Sequence, residues 1–522
     1  MPTYKGNMVE RTDVLIVGGG LAGLTLALQL KRRLPALDIV VLERRKHPVP
    51  AATHKVGESS VEIGADYFDV VLGLGDHLRS HQLKKFAFRF FFSDGRRDVD
   101  KVVEVGPGRY FSTPTYQIDR GIFENFLGGE VRAAGAKFLD GAVVRGFTLG
   151  DEAHRARDRE SGASHQHELS RDHEVAYEHE GAQRRISARW LVDASGRAGL
   201  LKRHLGLAER NAHDANGVWF RIGARIDIDD WSHDEGWLAR CEPRERWLST
   251  NHLVGEGYWV WLIPLASGSH SVGIVADARL HPLAEMNSFD RAMRWLHRHQ
   301  PRLADSLEAQ RGQVQDFAFL RDFSYGCKQV FSGARWALTG EAGVFLDPFY
   351  SPGSDFIAIA NTYITELVSK DIEGARVARF AKVYEQIYFD FYRIMLSIYV
   401  DQYAIFGDPE VMPVKVVWDY AYYWGVLCQL FFQRRLTDTA MLARLHTELA
   451  ATRDLNEAVQ PFLRAWSRVS GKRNDATMID QAALGWFTEL NRGLRDPLDD
   501  AGFDARMREN CVLLHGLAAE IV

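Results

Sequence analysis

The sequence predicts an α/β fold in which a parallel sheet is interleaved with a second, antiparallel sheet and followed by a helical C-terminal region. Three observations predict it. A β-branched apolar run, glycines and an apolar helix pattern open the chain, alternating apolar segments follow within 205–330, and strand signals nearly cease beyond Leu367. We therefore predict a sheet-forming domain at 1–365, with inserted parts of the second sheet at about 85–118 and 205–330, and a helical domain at 366–522.

The glycine motif GGGLAG explains the first observation. Val14 to Val17 is short, apolar and β-branched, as in a buried parallel strand, and Gly18, Gly20 and Gly23 follow on the G-x-G-x-x-G spacing. In a Rossmann-like fold these glycines permit a tight turn, a close backbone approach to a pyrophosphate, and close packing of the next helix. Glu43 ends a second strand about twenty residues later, where this fold places the acid that binds a ribose hydroxyl. The motif predicts a dinucleotide site without choosing between NAD and FAD.

Composition excludes several classes of function. The 522 residues are 46% hydrophobic and 25% charged, with a net charge of −5 and a pI near 6.5, so neither nucleic acid nor an anionic membrane is expected as a partner. The four widely spaced cysteines form no C-x-x-C pair, which predicts neither zinc nor a disulfide framework and favours reduced thiols. The N-terminal segment lacks the apolar stretch of a signal peptide. We therefore predict a cytoplasmic protein.

Two segments near the N-terminus have a distinctive pattern. Prolines make 48–54 a loop, and the tripeptide Gly57–Ser59 after it is predicted to present its backbone to the cofactor. Leu83 to Phe92 alternates cations with phenylalanines and precedes a Ser-Asp-Gly turn, which predicts a hairpin. On this pattern alone, Lys85 and Arg89 are expected on a solvated face of the strand.

Later segments are predicted to complete the first sheet and to aim helices at the cofactor. Trp190 to Gly196 and Arg335 to Gly340 are apolar runs typical of strands of that sheet. A helix beginning after Asp119, its candidate N-cap, places Arg120 either near a phosphate or on the surface. A second helix begins at Gly353, where free N–H groups would face the cofactor or an anion, unless it is an ordinary helix start.

Two segments argue against a metal centre and a membrane span. The polar stretch 151–185 holds His154, His165, His167, His173 and His179, but without a regular ligand spacing we predict a solvated hairpin there and no metal site. The aromatic run from Trp418 to Phe432 is shorter than the ~20 residues of a membrane span. It is predicted to be core, substrate channel or dimer surface, which leaves a homodimer open.

Six motifs, in this order, resemble those of the flavin-dependent halogenases typified by the tryptophan halogenases, within the FAD monooxygenases of p-hydroxybenzoate-hydroxylase-like fold. The signature W-x-W-x-I-P, which distinguishes halogenases from flavin hydroxylases, is the most specific of them. The motifs span about the first 365 residues and are GGGLAG (18–23), VGES (56–59), KFAFRFFF (from Lys85), DASG (193–196), WVWLIP (259–264) and DPFYSPG (347–353).

The resemblance implies the roles of individual residues. In the family, reduced FAD, oxygen and halide give hypohalous acid, which travels through a tunnel to a lysine beside the substrate; Lys85 matches that lysine. Trp259 and Trp261 are then expected to separate the flavin from the substrate, and Glu58 to assist catalysis. Chloride or bromide is the expected halide. The residues expected to bind FAD are Gly18, Gly20, Gly23, Glu43, Arg44, Gly57, Ser59, Arg120, Asp193, Glu341, Asp347, Gly353 and Ser354.

The sequence departs from the family pattern at two positions. Tyr350 stands where the tryptophan halogenases have an acid that assists the lysine or the substrate, so that role is either unfilled or taken by Glu58, Asp355 or another carboxylate. Pro352 lies in the turn whose N–H groups bind halide in the family, and proline has no N–H. One lost donor costs about 1 to 3 kcal/mol of anion binding, and Gly353 and Ser354 remain as donors.

Three hypotheses follow from the sequence. The first is a flavin-dependent halogenase of an electron-rich aromatic such as a phenol, pyrrole or indole, free or tethered to a carrier protein, with FAD reduced by a separate flavin reductase because only one dinucleotide motif is visible. The second is an FAD monooxygenase or oxidase that needs no halide, as Pro352 permits. The third is a flavin-binding scaffold without turnover.

Overall fold

The computed structural model describes residues 10–51, 55–150 and 172–522. Its strands are β1 (Glu10–Val17), β2 (Ile39–Glu43), β3 (Leu83–Lys85), β4 (Phe88–Phe91), β5 (Glu104–Gly106), β6 (Thr115–Gln117), β7 (Lys137–Asp140), β8 (Val143–Thr148), β9 (His173–His179), β10 (Ala182–Asp193), β11 (Ala208–Glu209), β12 (Ala215–Ile222), β13 (Thr250–Gly255), β14 (Tyr258–Pro264), β15 (His270–Asp277), β16 (Ala318–Leu320), β17 (Gly326–Cys327), β18 (Trp336–Leu338) and β19 (Met478–Asp480). Its α-helices are α1 (Leu21–Arg33), α2 (Glu62–Asp66), α3 (Gly75–His81), α4 (Arg120–Ala133), α5 (Leu200–His204), α6 (Glu235–Leu238), α7 (Phe289–His299), α8 (Pro301–Glu308), α9 (Gly353–Ile372), α10 (Ala378–Ser397), α11 (Val411–Tyr422), α12 (Gln429–Phe432), α13 (Thr439–Arg444), α14 (His446–Ser467), α15 (Gly485–Arg492) and α16 (Asp500–Ile521).

The first sheet is built around β1, whose residues Val14, Leu15 and Ile16 are fully buried. Five strands run parallel in the order β7-β2-β1-β10-β18, β9 pairs antiparallel with β10, and β8 pairs antiparallel with β9. Strands buried on both faces need continuous apolar sequence, which is why this sheet could be recognised from the sequence. The strands predicted at 190–196 and 335–340 are confirmed as β10 and β18.

Only part of the predicted hairpin at 151–185 falls within the described residues. His173 and His179 lie on β9, whereas His154, His165 and His167 lie outside the described residues. Across residues 10–51, 55–150 and 172–522, no group of three or more His, Cys, Asp or Glu side chains is placed to hold a metal ion.

The second sheet separates two apolar clusters. Its order is β16-β12-β15-β14-β13-β4-β5-β19, antiparallel except where β13 pairs with β4 and β5 pairs with β19. Along β14, Val260 and Leu262 face a cluster that includes α7 and α8, whereas Trp259 and Trp261 face the main core shared with the first sheet. Alternation along one strand therefore directs both tryptophans towards the interior between the sheets.

The single strand predicted for Leu83 to Phe92 is wrong, because the chain breaks at Phe86 and Ala87. β3 pairs with β6, whereas β4 joins the second sheet between β13 and β5. Ala87 has a φ of 149°, a conformation that side chains with a Cβ rarely adopt. This break lets two adjacent short strands belong to two different sheets.

The solvated face predicted for the cations of this segment is also wrong. Lys85 is 3% exposed and Arg89 is fully buried. The Arg89 guanidinium pairs with Glu104, which also accepts a 2.9 Å hydrogen bond from Arg246. Arg89, Glu104 and Arg246 thus form one buried ion cluster, to which Lys85 does not belong. A buried cation needs a partner, and here β5 supplies the one for Arg89.

The C-terminal region consists mainly of helices, from α10 to α16, and adds one strand, β19, to the edge of the second sheet. The aromatic run from Trp418 to Phe432 forms the end of α11, a π-helical segment (Tyr423–Cys428) and α12, and most of its side chains are buried within the chain. It is therefore core and cavity wall, which removes the support that this run gave to a dimer. In the described ranges, none of the helices combines the length and apolarity needed to cross a bilayer.

The backbone at Ala87 generates a stability prediction. We expect Ala87→Gly to raise the free energy of unfolding by about 1 kcal/mol, because glycine adopts positive φ without the steric cost that alanine has there. Denaturant unfolding of both proteins measures the change. In the matched control Ala451→Gly, on the exposed side of α14, the same substitution should lower stability by about 1 kcal/mol; a loss of stability at both positions would contradict the prediction.

Candidate active site and cofactor cleft

The glycine turn after β1 is tight on one side and open on the other. Gly18 has a φ of 114°, and a Cβ there would lie 2.3 Å from the carbonyl oxygen of Ala194. A Cβ on Gly23 would lie 1.9 Å from the Gly18 oxygen. At Gly20, by contrast, the nearest atoms to such a Cβ are 3.9 and 4.0 Å away. Two glycines are thus required by packing, whereas Gly20 faces open space.

Glu43 holds this turn against β2. Its carboxylate accepts hydrogen bonds from the N–H groups of Gly19, at 2.7 Å, and Arg45, at 2.8 Å. Arg44, predicted to bind the cofactor, has an exposed side chain. The acid therefore lies beside the glycine turn, where the sequence places the ribose site.

Basic side chains lie next to the open side of the turn. Arg120, the first residue of α4, donates to the Val56 carbonyl at 2.8 Å and to Glu124 at 2.6 Å, and Lys55 pairs with the same glutamate. Burial alone would raise the pKa of Glu124, but the charges of Arg120 and Lys55 lower it overall. Arg120 Nε is buried without a hydrogen-bond partner among the described residues. Gly57 packs against this guanidinium.

Asp193 organises the turn that follows β10. It is fully buried, and its two oxygens accept from the N–H groups of Ser195, at 2.9 Å, and Leu201, at 2.7 Å. Glu341 lies across the cleft and is partly exposed, 3.7 Å from Arg197. Within the described residues, Arg197 Nη1 also has no hydrogen-bond partner.

The residues around this cleft fit FAD. A pyrophosphate needs N–H donors and positive charge, and the start of α1 supplies unpaired N–H groups beside Lys55 and Arg120. The unpartnered donor atoms of Arg120 and Arg197 are what a bound anion would satisfy. The open cradle at Gly20 admits the close backbone approach that a dinucleotide requires.

A second helix N-terminus belongs to α9. Pro352 occupies the position before its first residue and accepts, through its carbonyl, the N–H of Phe356 at 3.0 Å. A Cβ on Gly353 would find no atom within 4 Å, so the space in front of it is open. Ser354 Oγ is buried without a hydrogen-bond partner in the described part of the chain.

Asp347 and the two tryptophans form the wall beside α9. Asp347 is 1% exposed, and its carboxylate is engaged by His213 Nε2 at 2.6 Å, the Tyr403 hydroxyl and the Phe349 N–H at 2.9 Å. Trp259 donates from its indole to Tyr403 at 2.9 Å. Trp261, whose ring centroid is 5.6 Å from that of Trp259, donates to Ser271 at 3.1 Å. Protein groups surround Asp347, so its contacts explain a rigid wall more directly than cofactor binding.

Lys85 is a buried ammonium at the end of β3. Its Nζ donates to Ser59 Oγ and to the Ser60 carbonyl, both at 3.0 Å, and lies 3.3 Å from the centroid of the Phe88 ring. Burial lowers the pKa of Lys85 to about 7, although the negative charges of Glu62 and Asp355 partly oppose this. An ammonium with a pKa near neutrality changes protonation readily at physiological pH.

Glu58 is not the carboxylate that the structure associates with this lysine. Arg221 holds it, with its Nε donating to Glu58 at 2.8 Å, and Arg221 in turn pairs with Asp316. Burial raises the pKa of Glu58, and the positive charge of Arg221 reduces this increase without cancelling it. The neighbouring Ser59, predicted to bind the cofactor, instead reaches Lys85.

Two cavities lie near this lysine, and the first of them is lined by it. The first is lined by Lys85, Glu62, Phe86, Tyr110, Phe111 and Tyr420. The second is mostly apolar and is lined by Phe88, Tyr350, Asp355, Met395, Tyr420 and Tyr423. Val61 and Tyr420 border both cavities. Ammonium, carboxylate and flat aromatic walls are thus gathered in one place.

Sequence reasoning missed Glu62 entirely and named Asp355 only as one alternative. Asp355 accepts from the Gly64 N–H at 2.8 Å and from the Tyr423 hydroxyl at 2.6 Å, and burial raises its pKa to about 8. Tyr350, at the position of the family's acid, donates to Asp419 at 2.9 Å. The only sequence signal for Glu62 was an acidic residue in the first turn of a helix beside the GES tripeptide, which is common on protein surfaces.

A glycine turn, a cleft with arginines and helix N-termini, and two interleaved sheets define an FAD-binding flavoprotein. A family model described as FAD binding domain matches residues 11–271, half of the chain, and the chain belongs to that family. Its relatives by sequence include proteins named flavin-dependent halogenases. No β-strand or helix of the described residues conflicts with that fold class.

The relatives are similar over most of the chain. The flavin-dependent halogenase chlA of Dictyostelium discoideum is 27% identical over 497 residues, 86% of this chain and 77% of that protein. The 1H-pyrrole-2-carbonyl-[peptidyl-carrier protein] chlorinase of Pseudomonas fluorescens is 26% identical over 65% of this chain and 72% of that protein. The flavin-dependent halogenase ascD of Acremonium egyptiacum is 25% identical over 70% of this chain, which spans 63% of that protein's length.

Solved structures agree with the fold. The halogenase PltM in complex with phloroglucinol and FAD superimposes with a TM-score of 0.64 at 18% identity, over 98% of this chain and 96% of that chain. The flavin-dependent halogenase CmlS gives a TM-score of 0.54 at 22% identity, over 80% and 65%. The PltM match includes the C-terminal helices as well as both sheets.

The open side of the glycine turn predicts a selective loss of cofactor. In Gly20→Ala the new methyl group meets no protein atom closer than 3.9 Å and φ at this position is −86°, so the fold should be retained. The methyl group would occupy the approach of the pyrophosphate, and we expect FAD to bind roughly tenfold more weakly or worse. Titration of apoprotein with FAD by fluorescence measures this. Gly129→Ala in α4, where a Cβ also meets nothing, is the control and should leave FAD affinity unchanged.

The buried lysine predicts a pH-dependent stability difference. Between the folded pKa of about 7 and the ordinary 10.5, the unfolded chain holds a proton on Lys85 that the folded chain releases, so wild-type stability should rise with pH across this window. Lys85→Met removes the effect. We expect this variant to be more stable by on the order of 2 kcal/mol at pH 7 and the gap to narrow towards pH 10. Urea unfolding at several pH values measures it, and a constant gap contradicts the burial of the ammonium.

Proposed function

We propose that this chain is a halogenase that uses reduced FAD, oxygen and halide to halogenate an electron-rich aromatic substrate. The observation that supports this most is Lys85, a buried ammonium that lines a cavity with flat aromatic walls. The names of the relatives agree with this activity. A flavin hydroxylase has no evident use for a buried lysine in that position, whereas an electrophilic halogenating agent needs a hydrogen-bond donor to orient it.

The residues that we infer to hold FAD are those of the cleft. The start of α1, Arg120 and Lys55 would face the pyrophosphate, with Glu43 at the ribose, and Glu341 and the start of α9 would lie towards the flavin end. Bound FAD would supply, in its reduced form, the electrons that turn oxygen and halide into hypohalous acid. We infer that a separate flavin reductase delivers these electrons, since the sequence has one dinucleotide motif.

The protein side chains would keep this oxidant in place. Trp259 and Trp261, fixed by Tyr403 and Ser271, form a wall that would separate the substrate from the flavin. Lys85 would donate a hydrogen bond to the oxygen of hypohalous acid and leave its halogen directed at the substrate ring. Burial of the site excludes water, which would otherwise compete for the oxidant.

The substrate of this chain is either a free phenol or an aromatic acid bound to a carrier protein. The name of the pyrrole chlorinase states a substrate carried by a peptidyl carrier protein, so a carrier-bound aromatic acid is a second substrate class to test beside free phenols. The four cysteines are all unpaired thiols, which supports the predicted cytoplasmic location. A halide-independent monooxygenase is the second candidate function, and Pro352 is the observation that favours it.

Loss of the lysine side chain tests the proposal. With a flavin reductase, bromide and an activated phenol or a carrier-bound pyrrole, we expect wild-type protein to give product heavier by one bromine. Lys85→Met should lower kcat at least about 100-fold while FAD binding is retained. Mass spectrometry of the products and FAD titration measure both quantities.

The neighbouring lysine offers a matched control. Lys84 is on the same strand and also borders the first cavity, but its ammonium is exposed and lies over the Tyr110 ring. Since Lys84 is not a desolvated donor, Lys84→Met should keep activity within about threefold. Product with an added oxygen and no bromine would favour the monooxygenase. No product from either substrate class would contradict both.

A further inference from the structure

Glu62 has an unusual environment for a carboxylate. It is the first residue of α2, it is 4% exposed, and it lines the same cavity as Lys85. Its Oε2 is buried and accepts no hydrogen bond of standard geometry among the described residues, although the Trp424 indole interacts with the carboxylate and favours its ionised form. Two of the three N–H groups of the Lys85 ammonium donate to Ser59 and to the Ser60 carbonyl, and the third does not reach Glu62. In the described residues, Glu62 Oε2 is therefore an acceptor without a hydrogen bond from a wall residue of this cavity.

A buried acceptor without a partner is costly, and such a group is retained where a ligand satisfies it. Burial raises the pKa of Glu62, which makes its carboxylate a stronger base than an exposed one, while the charge of Lys85 opposes the shift. The other buried carboxylates nearby have partners: Asp355 binds Gly64 and Tyr423, and Asp66 pairs with Arg434. Glu62 alone of these three presents a free oxygen to the cavity.

The remaining walls indicate the shape of the missing donor. Beside the polar residues Lys84, Thr113 and Thr115, the rings of Phe86, Tyr110, Phe111 and Tyr420 give flat surfaces, as expected around an aromatic ring. The donor must then be a group on that ring. A phenolic O–H, with a pKa near 10, is close enough in acidity to exchange its proton with a buried glutamate, whereas an indole or pyrrole N–H is far less acidic.

We propose that Glu62 is a catalytic base for a hydroxyarene substrate, with the phenolic O–H bound between Glu62 and Lys85. This inference rests on the proposed function and specifies its substrate class. A free phenolic hydroxyl becomes a requirement of the site, because its proton would pair with Glu62 Oε2, which accepts no hydrogen bond in the described part of the chain.

The proposed step balances. An electron pair of the ring forms the carbon–halogen bond as the halogen–oxygen bond of hypohalous acid breaks, so the ring is oxidised and the halogen reduced. The departing oxygen takes a proton from the Lys85 ammonium and leaves as water, while the phenolic proton moves to Glu62. The ring C–H proton then passes to the neutral Lys85 amine, and Glu62 returns its proton to the oxygen, which gives the halophenol and restores both side chains.

The test compares Glu62→Gln with wild type, using FAD, a flavin reductase, bromide and resorcinol. We expect kcat to fall about 100-fold, the usual contribution of a general base. A soluble trap for hypobromous acid should show oxidant formation within about threefold of wild type, because Lys85 and the cofactor cleft are unchanged. With fluorinated phenols of increasing acidity the loss should shrink, since a more acidic hydroxyl needs less help from a base. A purely structural role would not produce this trend.

The matched control is Asp66→Asn, one helical turn further along α2. Asp66 is also a buried carboxylate, but it pairs with Arg434 at 2.7 Å and does not line the cavity. This variant should lose stability and keep its turnover of resorcinol and its dependence on phenol acidity.

The outcomes separate the two proposals. If wild type makes oxidant and bromoresorcinol and Glu62→Gln does so equally fast, the role of Glu62 is disproved and the halogenase stands. If wild type brominates 1,3-dimethoxybenzene as fast as resorcinol, the requirement for a free hydroxyl is disproved. If wild type makes neither oxidant nor brominated product, the halogenase itself fails.

Discussion

The burial of one ammonium group is the constraint on which the site depends. An ammonium without water needs acceptors, and moving it into an apolar interior costs several kcal/mol unless they are supplied. Ser59 and Ser60 supply two oxygens, and the Phe88 ring offers its negative face. Ser59 and Ser60 precede α2, whereas Phe88 lies on β4 of the second sheet. The position of Lys85 therefore requires both the segment before α2 and the second sheet to be folded.

The same requirement explains why the C-terminal helices belong to the site. Tyr420 and Tyr423 lie on α11 and the π-helical segment after it, and they line the two cavities beside Lys85. Tyr423 binds Asp355 at the start of α9, and Asp355 in turn binds the N–H of Gly64 after Glu62. A hydrogen-bonded path thus connects the helical region, the second helix N-terminus and α2. Removal of the helices would open the cavities to water, and the ammonium would no longer be desolvated.

The sequence predicted those features that depend on local backbone chemistry. The turn at Gly18, the buried strand before it and the acid at Glu43 follow from sterics within about thirty residues, and the structure has them where expected. It could not predict the burial of Lys85, because that depends on a break at Ala87 that assigns β3 and β4 to different sheets. The sequence also could not predict a role for Glu62, because the cavity that Glu62 lines is formed with Tyr420, which is more than 300 residues away in the chain. Local patterns give the scaffold, whereas long-range packing decides which polar residues become buried.

The structure also weakens the objection to halide binding at Pro352. A proline at the position before a helix removes a donor that lies outside the helix, while the first N–H groups of the helix remain without intrahelical acceptors. Gly353 faces open space, so an anion can approach those groups. Asp355 in this first turn would repel an anion when ionised, but burial raises its pKa to about 8, which weakens that repulsion. The start of α9 therefore keeps the positive potential that favours an anion, and the missing donor alone does not distinguish a halogenase from a hydroxylase.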